Sequence, residues 1–386
     1  MKIIFILKSI ASIAGVERII SNKINYLSDH GYDVTLVTYE QGEHPIAFVL
    51  NKNIRIIDIN TRFFLLNKLS LIRKFIQFSR LRKLFIKRLN KIIEDVCPDI
   101  ICTTTESTNI AGAISYCTHK HKIKTIIESH VPMHSKLGYY EKNTRNLKFY
   151  INLIGKVKNI RQVKKFDQLV VLTQGDATAW SRYKRPIIIP NFINHTEYTR
   201  PKDKQCYHRI ICAGRLDYEK GYDLLIRAYS LIYKNHKDWI IDIFGNGTEK
   251  DKLMNLINEI GLNEYIHINV PSSKIYDEYQ KSDFLVFCSR FEGFGLVLAE
   301  AMSCSIPCVS FNCDYGPKEI IENQKDGLLV RNGDIKDLAN KIEWMMTHNK
   351  EREVMGINAY HKSKKYSIEP IMEKWTKLYD EIYKSL

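Results

Sequence analysis

Hydrophobic positions along this chain fall into short runs separated by longer periodic stretches. Ile3–Leu7 is an apolar run, Ser9–Gly15 is small and loop-like, Val16–His30 has helical periodicity, and YDVTLVTY (Tyr32–Tyr39) alternates. Further short runs follow at Ile54–Ile59, Asp99–Cys102, Thr125–Ile127 and Gln168–Leu172. Runs of this length alternating with helical stretches predict parallel strands covered by helices on both faces. The pattern then restarts. Arg209–Ala213 predicts a strand, Gly214–Gly221 a loop, Tyr222–Tyr233 a helix, and Trp239–Phe244 a strand ending in GNG. Tyr265–Val270, Phe284–Cys288 and Pro307–Phe311 predict more strands, and Pro370–Lys384 a final amphipathic helix.

The fold class is therefore α/β, with two doubly wound, Rossmann-like domains. A chain of 386 residues exceeds one ordinary core and suits two. The seam is placed in IIIPNFIN (Ile187–Asn194), where Pro190 and Asn191 break the apolar run. The expected division is residues 1–190, residues 191–366, and a last helix over 367–386 that packs against either half. Two such domains are expected to face each other across a cleft. In open parallel sheets ligands sit beyond the carboxyl ends of the strands, so the loops there carry the chemistry.

Composition supports a globular chain: 45% hydrophobic and 26% charged. No stretch reaches the roughly 18 apolar residues of a membrane span. The start, MKIIFILKSI, has only a five-residue apolar run before Lys8 and no cleavage pattern, so it reads as a buried strand rather than a leader. A cytoplasmic location is expected. Nine cysteines without a CxxC pair read as reduced and buried, and Cys304, Cys308 and Cys313 lack zinc-type spacing.

Charge adds a partner. The net charge is +15, and Arg62–Lys91 holds ten basic residues with no acidic one. Lys142–Lys165 holds eight more, again with no acid. Within the first segment Leu69, Ile72, Ile76, Leu81, Leu84, Phe85 and Leu89 recur at helical intervals among the basic groups. A basic amphipathic helix suits an anionic membrane face, and a core-packed helix with a solvated basic side fits the same spacing. Together the two segments favour peripheral association with the inner face of a membrane. No helix-turn-helix, zinc-finger or RNP signature is present, so no nucleic acid is expected.

The candidate chemistry lies in loops after predicted strands. In SIASIAGVER, Ala14 and Gly15 open a helix whose amides would face an anion or a sugar. AGRLDYEKG (Ala213–Gly221) places Arg215 and Lys220 beside a helix start, an arrangement suited to a diphosphate. In FGNG, Gly245 and Asn246 follow the next strand, and the glycines permit close backbone approach. SRFEGFGLVLAEAM (Ser289–Met302) sets Glu292 before a turn at Gly293, Phe294 and Gly295, with a helix from near Leu296 and Glu300 about a turn inside it. The amides at that helix start suit a phosphate. Leu296, Val297, Leu298, Ala299, Ala301 and Met302 surround Glu300 with apolar character, so its carboxylate is expected to be buried and partnered. The two glutamates then address different parts of one extended, hydroxyl-rich ligand.

With GR at Gly214-Arg215, KG at Lys220-Gly221 and Glu292 and Glu300 in EGFGLVLAEAM, the chain resembles the retaining nucleotide-sugar glycosyltransferases of family 4. AGVER, IPNFIN, DGLLV and W-x-x-L-Y (Trp375–Tyr379) extend the resemblance over nearly the whole length. It implies the GT-B fold, with the last helix crossing back onto the first domain. It implies a hexosyltransferase moving sugar from a nucleotide diphosphate, with UDP expected, to a glycan or lipid-linked acceptor in surface polysaccharide or lipopolysaccharide assembly. Arg215 and Lys220 would hold the leaving diphosphate, Glu300 the ribose, and Glu292 the donor sugar. Gly293, Phe294, Gly295 and Leu296 would give amides, and Gly15 would border the phosphate. Gly245, Asn246 and Val270 would complete the donor pocket, and His130 in ESHVP would stand near the transferred sugar. The catalytic set is thus His130, Glu292, Arg215 and Lys220. No cofactor and no metal are expected, since no Asp-x-Asp occurs and cationic side chains would neutralise the leaving group; the nucleotide-sugar is a substrate. Departures are Ala14 and Ser305 where glycine is frequent, and Asn269-Val270-Pro271 near the base pocket. A nucleotide-sugar hydrolase or epimerase on the same fold and a non-catalytic polyanion-binding protein are the alternatives.

Overall fold

The computed structural model describes residues 1–12, 15–133, 157–193 and 206–384. Ala14, Asn194 and most of the basic segment Lys142–Lys165 lie outside them. The chain divides into two compact units: Met1–Leu172 with Asp176–Ile189 and Met372–Leu386, and Thr173–Gly175 with Pro190–Ile371. The last helix, Ile368–Tyr383, thus ends in the first unit.

The first unit holds seven parallel strands: β1 (Lys2–Leu7), β2 (Asp33–Thr38), β3 (Arg55–Asp58), β4 (Ile100–Thr104), β5 (Lys124–Ser129), β6 (Gln168–Val171) and β7 (Ile187–Ile188). Their spatial order is β3-β2-β1-β4-β5-β6-β7. Ile3, Ile4, Phe5 and Ile6 of β1 are all buried, so consecutive residues on both faces of the strand meet helices. That is why the run reads as continuous rather than alternating. Neither β7 nor its pairing with β6 was expected. Two residues of IIIPNFIN suffice for it, and Pro190 follows.

The second unit holds β8 (Arg209–Ala213), β9 (Ile240–Phe244), β10 (Ile266–Asn269), β11 (Phe284–Phe287), β12 (Cys308–Asn312) and β13 (Gly327–Arg331), all parallel. The order is β10-β9-β8-β11-β12-β13. Each sheet therefore starts in its middle and winds outward both ways, which creates a crevice where the order reverses. In the first unit that point lies between β1 and β4, and in the second between β8 and β11.

Local differences from the sequence reading have identifiable causes. The helix after β8 spans Tyr222–Tyr229 and stops short of Tyr233, because buried Tyr229 donates its hydroxyl to Trp239 O at 2.8 Å and anchors a turn toward β9. The edge strand β13 went unpredicted because its apolar run is only Leu328–Val330.

The basic helix spans Leu71–Val96, and its apolar stripe is divided. Phe85, Leu89, Ile92, Ile93 and Val96 join the core of the first unit, and Leu81 and Leu84 are half-buried. Ile72 (77% exposed), Phe75 (78%) and Ile76 (48%) face solvent on the first turns, and Leu69 just before the helix is exposed too. The stripe thus serves the core in its second half and stays uncovered in its first. No described helix is long and apolar enough to cross a membrane. All nine cysteines are free; Cys97 is exposed, Cys206 half-buried and the rest buried.

Candidate active site

The loops after β8 and β11 meet at the reversal point of the second sheet, and their backbones lie in contact. Gly221 has φ 67°, and a Cβ there would stand 2.1 Å from Cys288 O. Only glycine permits both the left-handed turn and the approach. Arg290 of SRFEGFG staples the pair. Its N donates to Glu219 O at 2.8 Å, its Nη1 to Tyr218 O at 2.8 Å, and its guanidinium binds Asp223 through two hydrogen bonds of 2.8 and 2.7 Å. The guanidinium also lies 4.0 Å from the Tyr218 ring centroid. Neither Arg290 nor Asp223 was singled out from the sequence, since nothing local links positions 67 residues apart.

This stapling brings together two of the expected residues. Lys220 Nζ lies 2.6 Å from Glu292 Oε2, and both side chains are mostly buried. Glu292 Oε1 accepts from Gly293 N at 3.1 Å. Arg215 is more open, with its side chain 65% exposed, and it reaches Asp217 at 2.7 Å and Glu219 at 2.5 Å. The two cations therefore share a loop system with three carboxylates. Burial would raise the Asp217 carboxyl, but bonds from Thr248 N and Oγ1 and the charges of Arg215 and Lys220 outweigh it and hold it below the usual carboxylate range. An anionic ligand here meets donors already aimed by carboxylates, which it would displace or share.

FGNG is tied to the same system. Gly214 N donates to Phe244 O and Leu216 N to Asn246 O, and a Cβ at Gly245 would stand 2.0 Å from Gly214 O. Val270, 74% exposed, ends the row beyond β10. It lies roughly three strand spacings, about 14 Å, from the loop after β11.

The helix Leu296–Ser303 begins at Gly295, whose φ is 93°. Phe294 is buried with its ring against Tyr366 at 5.4 Å. Glu300 is 3% exposed, and its Oε2 accepts the Tyr279 hydroxyl at 3.3 Å. The expected burial and partner are both present; Tyr279, itself fully buried, was not foreseen. Ser305, where glycine is frequent, has φ 57° and is buried. Serine there holds a conformation that costs a side chain about 1–2 kcal/mol.

Two expected residues belong to the first unit. Gly15 opens the first helix (Gly15–Asp29) and is exposed, and a Cβ added to it would meet nothing within 4 Å. No atom of the described residues therefore requires glycine at that position. His130 follows β5, with its side chain 2% exposed and its Nε2 3.3 Å from Glu128 Oε2. Glu128 in turn meets Lys23 Nζ at 2.6 Å, a pair that sequence reasoning missed. Lys23 on a helix face with Ile19, Ile20, Ser21, Ile24 and Leu27 was the available signal. Among the described residues no cluster of His, Cys, Asp and Glu is arranged to hold a metal ion.

Comparison with known proteins agrees with this geometry. The family model "Glycosyltransferase Family 4" matches residues 13–197, and "Glycosyl transferases group 1" matches residues 197–362. The chain is 26% identical over 385 residues to the amylovoran biosynthesis glycosyltransferase AmsD of Erwinia amylovora, covering 97% of this chain and 98% of that one. It is 25% identical over 391 residues, 99% of each chain, to a Campylobacter jejuni enzyme. That enzyme is the GalNAc-alpha-(1->4)-GalNAc-alpha-(1->3)-diNAcBac-PP-undecaprenol alpha-1,4-N-acetyl-D-galactosaminyltransferase. The fold superposes on Anabaena HepE, solved in complex with UDP and glucose, with a TM-score of 0.74 at 16% identity over 99% of this chain and 100% of that one. The two family matches adjoin at residue 197 and each sheet is Rossmann-like; the chain belongs to the family 4 glycosyltransferases of GT-B fold.

Proposed function

We propose that this glycosyltransferase moves a hexose, with retention, from a UDP-sugar to a glycan or lipid-linked acceptor of surface polysaccharide or lipopolysaccharide assembly, without a metal ion. The observation that carries this is the Lys220–Glu292 pair at the reversal point of the second sheet, 2.6 Å apart and mostly buried. Cleavage of the sugar–phosphate bond leaves negative charge on the diphosphate and positive charge on the sugar. Lys220, the exposed fork of Arg215 and the amides at the start of the helix Leu296–Ser303 address the first charge. Fixed donors at a developing anion lower a barrier by about 2.7–4 kcal/mol each. Glu292 addresses sugar hydroxyls beside them, and buried Glu300 the ribose. Support for UDP comes from HepE, solved with UDP and glucose.

The acceptor class rests on two further observations. The Campylobacter relative is named for an undecaprenol-linked acceptor and the Erwinia relative for amylovoran biosynthesis. The exposed Ile72, Phe75 and Ile76 lie among exposed Arg73, Lys74, Arg80 and Lys83, chemistry that fits an anionic bilayer where a lipid-linked acceptor resides.

The test is thermal unfolding of wild type and Arg215→Ala with UDP, GDP or ADP. UDP at 100 times its dissociation constant adds about 2.7 kcal/mol. The expected result is a shift with UDP alone, reduced in the variant. A shift with GDP or ADP instead would overturn the donor, and no shift with any would overturn the diphosphate site.

A further inference from the structure

A buried ion pair of the first unit adjoins His130 and has no part in the donor chemistry above. Lys23 lies on the buried face of the first helix with Ile19, Ile20, Ile24 and Leu27. Its side chain is 1% exposed and that of Glu128 3%. The Trp375 ring of the last helix covers the ammonium, with the centroid 3.4 Å from Nζ. Lysine and glutamate are seldom this buried unless paired. Burial pulls the Lys23 ammonium down despite Glu128. Burial also pushes Glu128 up, but the Lys23 ammonium beside it holds the carboxyl below its usual range.

Glu128 and His130 stand two residues apart at the end of β5, so their side chains leave the same face. Nε2 lies 3.3 Å from the oxygen that binds Lys23, within ion-pair range but not aligned as a hydrogen bond. Neither ring nitrogen nor Glu128 Oε1 has a hydrogen-bond partner among the described residues. The other titratable groups around Glu128 are Cys102 of β4 and Tyr379 of the last helix, and burial pushes both up, so both stay neutral. Glu128 Oε2 is therefore the anion beside the ring, and Lys23 already balances it. In a neutral imidazole the group bound to one nitrogen decides which nitrogen carries the proton.

We propose that Glu128 and Lys23 are positioning residues for His130. Glu128 draws the proton to Nε2 and leaves Nδ1 as the acceptor, and Lys23 holds the carboxylate oxygen in place beside the ring. The inference rests on the reading of His130 as the group beside the transferred sugar, where Nδ1 would accept from a hydroxyl. It gives the buried lysine a chemical purpose: Lys23 fixes the carboxylate that selects the tautomer of the imidazole.

The test is nitrogen NMR of the full chain labelled with 15N at histidine, with His130 assigned by its loss in His130→Asn. The variants are Glu128→Gln, Lys23→Met and the two combined. The combination removes both charges together, so it keeps the fold if Lys23→Met alone leaves a buried carboxylate that does not. Wild type is expected to carry one tautomer, protonated at Nε2. Glu128→Gln, Lys23→Met and the double variant are each expected to show both tautomers, because the carboxylate is removed or no longer held beside Nε2. A proton on Nδ1 in wild type, or the same His130 signals in wild type and the double variant, would overturn the proposal. A full transfer rate in His130→Asn would instead overturn the reading on which it rests.

Discussion

Lys220 and Glu292, 72 residues apart in sequence, form a 2.6 Å ion pair where the strand order of the second sheet reverses. Each was expected to touch a different part of the donor. Their pairing means that the carboxylate sets the charge environment of the cation. A mostly buried pair of this kind is screened less than a surface one, so removing either member changes what the other does. The geometry also explains the conformational demands around it. The pair forms because Gly221 lets one loop lie against the end of β11, and because Arg290 ties the loops together.

Backbone conformation gives the first prediction. Gly221→Ala combines a left-handed residue with a Cβ 2.1 Å from Cys288 O, and is expected to destabilise the second unit by about 2–4 kcal/mol. Ser305→Gly relieves a left-handed serine at φ 57° and is expected to stabilise by up to about 1 kcal/mol. Urea unfolding of the two variants reads opposite signs. A neutral Gly221→Ala would mean that the loop contact is not as described.

Glu300 gives the second. It is buried, accepts from Tyr279 and is assigned to the ribose. Glu300→Gln is expected to weaken UDP about tenfold, as loss of a charge-assisted hydrogen bond does. The affinity for 2′,3′-dideoxyuridine diphosphate should change by less than about twofold. Equal losses for both ligands would remove the ribose assignment.

The third concerns the basic helix. Ile72 and Phe75 are 77% and 78% exposed, so replacing both by serine leaves the unfolding midpoint unchanged. Cosedimentation with vesicles of phosphatidylcholine and phosphatidylglycerol is expected to fall about tenfold or more, since two large apolar side chains no longer enter the bilayer. Wild-type binding should also weaken with salt. Wild type that ignores such vesicles at low salt would contradict the membrane reading.

How much of this was legible in the sequence depended on range. Arg209–Ala213 was read to the residue and the helix start to the neighbourhood of Leu296, because each is set by local apolar pattern and a flanking glycine. The burial of Glu300 was legible from its apolar neighbours. Its partner Tyr279 was not, nor was the Arg290–Asp223 staple, because tertiary contacts leave no periodic trace. Lys23 shows the cost of weighing only motif residues. A lysine on the apolar face of the first helix is visible in the sequence, but its meaning depends on Glu128, 105 residues away. The divided stripe of the basic helix was beyond periodicity, which reports amphipathic character and not which half the core covers.

Whether the Lys220–Glu292 pair belongs to the donor diphosphate is decided by calorimetric titration of UDP into wild type, Lys220→Ala and Glu292→Gln. Lys220→Ala is expected to weaken UDP by about tenfold or more through loss of a charge-assisted contact. Glu292→Gln is expected to tighten UDP by about three- to tenfold, because Lys220 no longer divides its charge between carboxylate and phosphate, while sugar transfer falls. Opposite signs in the two variants would establish the pair as part of the site. Unchanged UDP affinity in both would place the pair outside the donor site.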